Sequence, residues 1–487
     1  MSLKDKTVSG LLWNFGDRFA THVIALISGI ILARILSPRE FGLIGMLMIF
    51  VEVSNIFINS GFNEALIRKK DCSEKDYSTV FYFNLVASLF IYFGLFFSAE
   101  LISNFYDEPR LEPIVKILGI SVVINALTIV QRTKITRRID FKLLTKISVI
   151  SSLASGIMGI VFALNGYGVW SLVYKTLLLH FFTGLLLWVW NKWTPLRSFS
   201  MSSFKELFGF GGRLMTLGII DAVYNNIYHV IIGKFYPVAN VGQYTQADKF
   251  KRLPSQTLGD IIGGVNYPVL SSIQDDKERY RKTFKRVLGV TMLVSFILLI
   301  GLGAIAKEFI VLLMGEKWAL AGEYLQILCF SAVFRPMNKM NNTILKIAGR
   351  SDLVLRIGIL LKFAAIPVIL TAIFIGIEQM LYALVVHQFI EFVIVAYNGG
   401  KYANHPLLDQ FKDMMAPLII SLSMFFVLVV MGYLVEWSIP ALFVLKLSTG
   451  ALFVYVLLEA FRLDNYIYLK ATLREKLTRS ARHNNDH

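Results

Sequence analysis

Arg335, Pro336, Asn338, Lys339, Asn341 and Asn342 crowd one short stretch of a sequence that is otherwise apolar on both flanks. Arg335 and Lys339 are four residues apart, which puts both side chains on one helix face. Two cations held there repel unless an anion or an acid lies between them. Pro336 cannot donate its backbone hydrogen bond and kinks a helix that contains it, turning carbonyls toward a cavity. The chemistry on offer is anion binding. An irregular helix end near water, or a structural ion pair, is the competing reading.

Other polar groups interrupt apolar segments in the same way, and a charge inside such a segment is costly unless it faces protein, water or a ligand. Asp17 and Arg18 precede His22, with Arg18 and His22 on a shared face; snorkelling of Arg18 to nearby water is the plain alternative. Asp248, Lys249, Lys251 and Arg252 open the eighth apolar helix, as part of a water-filled cavity or of an external rim. Glu52, Asn55 and Asn59 step by three and four, and Asp221, Asn225 and His229 by four, two stripes that line a cavity or bond helices to each other. Lys175, Lys362 and the His387/Glu391 pair complete the set. A carboxylate in such a place can carry protons or sodium. Arg18, Lys251, Arg252, Arg335 and Lys339 are thus the anion-binding candidates. His22, Glu52, Asn55, Asn59, Lys175, Asp221, Asn225, His229, Asn338, Asn341, Lys362, His387 and Glu391 are the cavity or ion-coupling candidates.

Catalytic signatures are missing. The sequence holds no GxxxxGK[ST] nucleotide loop, HExxH pair or CxxC array, so neither ATP hydrolysis nor a metal or other cofactor is expected. Cys72 and Cys329 have no pairing or metal-ligand spacing. A membrane polymerase or lipid-sugar glycosyltransferase would need an external catalytic loop. The longest external loops here run to about 13–16 residues, and Asp107, Glu108 and Glu112 in one of them lack a partner set for acid–base work. A scaffold would not require a polar interior.

The elements that must position these residues are membrane helices. Of 487 residues 55% are hydrophobic and 17% charged, with a mean hydropathy of +0.60, too apolar for a soluble chain of this size. Charge-free runs such as 77–99, 147–174, 287–306 and 414–435 match the ~20 residues that span the hydrocarbon core as a helix. No cleavable signal peptide is read, because Arg18 interrupts the first apolar run and the next continues into another span. The spans fall near 11–33, 41–62, 79–99, 113–131, 147–164, 168–190, 213–233, 253–273, 287–306, 323–345, 357–376, 381–398, 414–434 and 440–460. With both ends in the cytoplasm, the eight inner segments carry 33 of the 49 Lys and Arg residues and the seven outer ones carry 7, which is the positive-inside rule. Most of the net charge of +16 is therefore topogenic and calls for no nucleic acid; basic runs such as 132–146 and 277–286 also favour anionic lipid headgroups. Trp13, Trp170, Trp188, Trp190, Trp193, Trp318 and Trp437 read as interfacial anchors.

The chain also repeats itself. Phe15-Gly16-Asp17-Arg18 opens a helix that ends before Leu36-Ser37-Pro38, with Gly42 following. Phe210-Gly211-Gly212-Arg213 opens one that ends before Phe235-Tyr236-Pro237, with Gly242 following. Leu118 to Asp140 parallels Leu328 to Asp352, each closing on a basic turn and each followed by two spans. An even number of helices per copy makes these parallel repeats, as in transporters that rock two lobes about a central cavity. The expectation is an all-α polytopic membrane protein of about 14 transmembrane helices in two pseudo-symmetric six-helix lobes, 1–198 and 199–402. Two further helices at 403–462 and a basic cytoplasmic tail at 463–487 complete it. Two such lobes, cations in the spans and no energy-coupling domain point to a secondary transporter or flippase for an anion.

Gly10-Leu11-Leu12-Trp13-Asn14-Phe15, the segment Ile31-Leu32-Ala33-Arg34-Ile35-Leu36-Ser37-Pro38-Arg39-Glu40-Phe41-Gly42-Leu43, Phe57-Ile58-Asn59-Ser60-Gly61-Phe62, and Phe235-Tyr236-Pro237 followed by Val241-Gly242-Gln243-Tyr244 carry a resemblance. The chain resembles the multidrug, oligosaccharidyl-lipid and polysaccharide exporter superfamily, in its bacterial polysaccharide-export branch of the colanic-acid or teichuronic-acid type. The resemblance spans nearly the whole chain and is weakest in the last two helices. It implies a bacterial inner-membrane protein that moves a polyprenyl-diphosphate-linked oligosaccharide from the cytoplasmic to the outer leaflet by alternating access. Its partners would be membrane lipids, that substrate and the polysaccharide assembly machinery, with proton or sodium coupling as a compatible energy source. Another anionic lipid or small molecule is the alternative cargo.

Overall fold

A computed structural model describes residues 3–59 and 61–471, and every regular element among them is helical. The first half runs α1 Leu3–Ile35, α2 Pro38–Asn59, α3 Phe62–Arg68, α4 Glu74–Tyr106, α5 Leu111–Leu118, α6 Ile120–Arg137, α7 Phe141–Leu164, α8 Val169–Asn191, α9 Met201–Phe235 and α10 Val238–Ser272. The second runs α11 Lys277–Ala304, α12 Ala306–Met314, α13 Ala319–Ala332, α14 Arg335–Ile347, α15 Ser351–Ala364, α16 Ile366–Phe374, α17 Ile377–Tyr402, α18 Leu407–Leu434 and α19 Ile439–Phe461. Each segment expected to span the membrane falls on one or two of these helices. Among the described residues, 11 helical runs are long and apolar enough to cross a bilayer. The expected first, eighth and tenth spans are not among the 11. The described part of α1 gives the shorter apolar helix Phe19–Ile35, the tenth span is divided into the short helices α13 and α14, and α10 carries Asp248, Lys249, Lys251 and Arg252, whose charge lowers its hydropathy.

Three local expectations need correcting. The eighth helix begins at Val238 and not near 253, so Asp248, Lys249, Lys251 and Arg252 lie in its interior turns and not at its start. The basic segment 131–146 is mostly helix: α6 continues to Arg137 and α7 resumes at Phe141. Pro336 does not kink a continuous helix. Helix α13 ends at Ala332 and α14 starts at Arg335 with Pro336 in its first turn, where a missing N–H leaves no hydrogen bond unmade.

The chain divides into two compact units, 1–245 and 246–487. In the first, α2 lies along α9, and α1 along α7. The repeat-related glycines are reciprocal: a Cβ on Gly42 would collide with the Val238 carbonyl, and one on Gly242 with that of Pro38. Only bare glycine lets two backbones approach this closely. One core of this unit gathers Phe62, Phe81, Trp193 and Leu207. Its polar edge is tied down by Lys134, which meets Glu74 at 2.6 Å and covers the Tyr77 ring at 4.5 Å. Two of the tryptophans read as interfacial anchors are packed inside instead. Trp193 donates its indole N–H to Glu74 at 2.7 Å, and Trp318, in the second unit, is 0% exposed.

In the second unit α11 lies along α18, and α14 along α17, around Phe284, Met292, Phe296, Met337, Met340 and Phe392. On the outside of α4, Phe90, Phe93, Phe97 and Leu101 are exposed at the three- and four-residue spacing of one helix face. That is the signature of a surface solvated by hydrocarbon.

Candidate functional site

In the first unit Glu52 and Asn55 of the α2 stripe are engaged by hydrogen bonds to neighbouring helices. Glu52 on α2 accepts from the Asn226 amide on α9 at 2.5 Å. One turn on, Asn55 accepts from Asn125 of α6 at 2.8 Å, and Asn59 donates back to the Asn55 carbonyl at 2.8 Å. Lys175 of α8 donates to Ser28 of α1 at 2.9 Å. On α9 the stripe divides between exposed and buried positions. Asp221 is exposed and Asn225 half-buried, whereas Asn226 and His229, three apart, form the buried face. His229 sets its ring against Tyr244 at 4.9 Å. His22 is exposed, and the Arg18 side chain lies outside the described residues.

The second unit is built differently. Asp248 on α10 is buried between two cations, with Lys251 at 2.6 Å and Arg252 at 2.5 Å. One carboxylate thus serves two positive groups. On α14, Arg335 and Lys339 are exposed while Pro336, Met337, Asn338, Met340 and Asn341 between and beside them are buried. The helix therefore packs on every face except the one carrying its cations. These two cationic patches are neighbours: the Lys339 stem runs 3.3 Å from where a Cβ on Gly259 of α10 would stand, and Lys251 is within Coulombic reach of Arg335. Gly259 is what gives that stem room.

Behind this face the polar groups of α14 meet α17 and α18. Asn338 is 3% exposed and sits beside the Glu391 carboxylate without a hydrogen bond of normal geometry. Glu391 accepts from Gln388 at 3.1 Å, and His387 bonds the Leu361 carbonyl at 3.0 Å. His387 and Glu391 are therefore not paired to each other as a closed unit. Asn341 is absorbed structurally by Gln410, 3.1 Å away, and Lys362 is half-buried on α15. Sequence reasoning overlooked Asn125 and Asn226, the amides that answer Asn55 and Glu52. It also overlooked Lys446 of α19, whose buried ammonium meets the partly buried Glu308 of α12 at 2.6 Å. Lys446 alone in an apolar span was a legible signal; Glu308 looked like an ordinary loop acid.

Lys251 and Arg252 meet the buried Asp248, and Arg335, near Lys251, is also within Coulombic reach of the Glu391 carboxylate; with Lys339 they form a cluster of cationic side chains that can hold a phosphate or another anion through charge-assisted hydrogen bonds. Among the described residues no group of three His, Cys, Asp or Glu side chains could hold a metal ion.

Comparison with known proteins places this geometry in context. A family model described as polysaccharide biosynthesis protein matches residues 31–323. The teichuronic acid biosynthesis protein TuaB of Bacillus subtilis (strain 168) is 26% identical over 356 residues, covering 72% of this chain and 73% of the relative. The lipopolysaccharide biosynthesis protein WzxC of Escherichia coli (strain K12) is 26% identical over 378 residues, covering 76% and 75%. Among solved structures, the lipid II flippase MurJ in an inward closed conformation superposes with a TM-score of 0.75 at 15% identity, covering 93% of this chain and 98% of that one. An inward-facing multidrug-resistance MATE transporter gives 0.62 at 13% identity, covering 79% and 94%. The structural likeness is one of fold.

Proposed function

The chain belongs to the polysaccharide biosynthesis protein family, and from that premise we propose that it is a flippase for a polyprenyl-diphosphate-linked oligosaccharide. It carries this lipid from the cytoplasmic to the outer leaflet of the bacterial inner membrane by alternating access. The observation that supports the reading is the cluster of cationic side chains on α10 and α14, with Lys251 and Arg252 at the buried Asp248 and Arg335 and Lys339 on the exposed face of α14. A diphosphate cannot cross hydrocarbon bare because its desolvation is prohibitive, and fixed Arg and Lys side chains offset that cost. Outward movement of two net negative charges down an inside-negative potential is worth about 4.6 kcal/mol per 100 mV. Proton or sodium coupling is compatible with the same cycle, through carboxylates such as Glu391.

In this reading the chain crosses the membrane fourteen times with both ends in the cytoplasm, twelve spans forming two six-helix lobes and α18 and α19 standing outside the duplication. Arg335 and Lys339, with Lys251 and Arg252, bind the headgroup, and Arg18 of the first unit is a separate headgroup-binding candidate. Membrane lipids and the polysaccharide assembly machinery are the partners, and no covalent chemistry is asked of the protein. The test is a deletion strain assayed for a lipid-linked repeat unit trapped in the cytoplasmic leaflet and complemented with wild-type or Arg335→Ala protein. Trapping relieved by wild-type protein alone is expected. Normal surface polysaccharide with nothing trapped in the deletion strain would count against export, and equal rescue by both proteins would remove Arg335 from the site.

A further inference from the structure

A cavity of about 780 Å³ lies between the C-terminal end of α10, the N-terminal half of α11 and the segment after α19. One side of α11 lines it with Arg279, Lys282, Thr283, Arg286 and then Val287 and Val290. The opposite side of the same helix buries Tyr280, Phe284 and Leu288 in the core, so the basic stripe is held in place by packing. Asn266 of α10 and Tyr468 complete the lining.

The charges in this cavity do not cancel. Asp276 spends its side chain capping α11, accepting from the Arg279 backbone N–H at 3.1 Å, and Glu278 pairs with Lys282 at 2.6 Å. Among the described residues neither the Arg279 nor the Arg286 guanidinium has a carboxylate partner. Arg286 instead lies over the Tyr468 ring at 4.6 Å. Asn266 is 8% exposed, and among the described residues its amide N–H has the Met340 sulfur, 3.7 Å away, for a partner. A half-satisfied amide at the wall of a cavity is a group that a ligand can complete. Along α11 the lining changes from cationic to apolar, so the occupant must be an amphiphile, with a head that takes two guanidinium groups and a chain that follows Val287 and Val290.

We propose that this cavity is a loading site for a diphosphate-headed prenyl lipid, occupied before the lipid reaches the cations of α10 and α14. Arg279 and Arg286 take the diphosphate, whose planar multidentate recognition suits guanidinium better than ammonium. Asn266 and Thr283 face the first sugar, and the chain leaves along Val287 and Val290. The proposal rests on the flippase reading, with the two separable by experiment.

The test uses purified full-length protein in phosphatidylcholine nanodiscs, titrated separately with farnesyl diphosphate, inorganic pyrophosphate and phosphatidylglycerol. The Arg279→Gln/Arg286→Gln variant should bind farnesyl diphosphate about tenfold more weakly, with its phosphatidylglycerol affinity unchanged. Arg279→Lys/Arg286→Lys should retain most of the affinity, and Lys412→Gln, a charge loss outside the lining, all of it. Unchanged farnesyl diphosphate binding in the Gln variant overturns the proposal. So does pyrophosphate binding as tightly as the prenyl compound, which would make this a soluble-phosphate site. An equal loss of phosphatidylglycerol binding would reduce it to a general anionic-lipid site. In proteoliposomes the Gln variant should raise the half-saturating lipid concentration at least fivefold while the maximal rate falls less than twofold. A wild-type protein that binds farnesyl diphosphate through Arg279 and Arg286 but moves no lipid would instead refute the flippase reading and leave the binding site standing.

Discussion

The polar face between α2 and α9 and the polar face of α10 and α14 began as comparable features of the sequence, each a run of charged and amide residues in an apolar helix. Folded, they are opposites. On α2, Glu52 and Asn55 meet one amide each, Asn226 and Asn125, at 2.5 and 2.8 Å. On α10, Lys251 and Arg252 share the one carboxylate of Asp248, and α14 adds Arg335 and Lys339 on its exposed face. Polar groups whose donors and acceptors match hold helices together and ask for nothing more. Groups of one sign left in excess make a place where an outside anion is stabilised. What separates glue from a binding face is therefore the local balance of charge and hydrogen-bonding capacity, and polarity alone does not reveal it.

The comparison is tested hardest by a charged pair that is balanced although it sits in the second unit. Lys446 and Glu308 are 2.6 Å apart, with side chains 5% and 12% exposed. Glu308→Ala leaves a buried ammonium without its partner and should cost about 3–5 kcal/mol, read as a large drop in thermal unfolding temperature in detergent. Lys446→Met/Glu308→Leu removes both charges and should recover most of that loss. If the single and double variants are equally unstable, charge balance is not what the pair supplies. Next comes Arg335→Ala, which deletes one charge-assisted contact of about 1.5–3 kcal/mol. Lipid transport in proteoliposomes should fall roughly 10- to 100-fold with unfolding temperature nearly unchanged, because the side chain faces out of the packed core. Loss of stability in place of transport would make the α14 face structural.

The helices were legible because bilayer thickness dictates a run length that sequence displays directly. The cations of α14 were legible too, since Arg335 and Lys339 have the same helical phase on any backbone. What sequence could not show was pairing. Glu308 and Lys446 are 138 residues apart, and nothing local marks an acid in a short polar stretch as the partner of a lysine in a late span. Asn226 was missed for a related reason: with Asn225 and Asn226 adjacent, periodicity admits either, and only the contact with Glu52 picks out Asn226. Pro336 misled by its type, for a proline that kinks a helix and a proline that starts one look identical until the helix end before it is seen.

Glu52→Gln is the gentler probe of the first unit. Glutamine retains an acceptor oxygen for Asn226, so the change removes a charge while keeping the contact, at about 0.5–1.5 kcal/mol in thermal unfolding and with transport held within about threefold. A collapse of transport driven by a proton or sodium gradient, with passive lipid movement intact, would show that Glu52 carries the coupling ion and that the first unit's polar face is more than glue.

Cys72, in the polar stretch between α3 and α4, is half-buried, and burial pushes its thiol above the ordinary cysteine value. The thiolate is the species that reacts with maleimides, so less of it is present at pH 7 than for a free thiol. The sign follows: labelling of Cys72 is slow at neutral pH and quickens about tenfold per pH unit as pH rises toward the elevated value, while a small free thiol levels off earlier. The other cysteine, Cys329, is fully buried and does not compete. The same reaction orients the two faces being compared, because the segment holding Cys72 is one of the basic loops assigned to the cytoplasm. A membrane-impermeant maleimide should label it in inverted vesicles and spare it in intact spheroplasts. Labelling from the outside would invert the topology, and the cation-rich α10 and α14 would then have to be read as receiving their anion from the opposite leaflet.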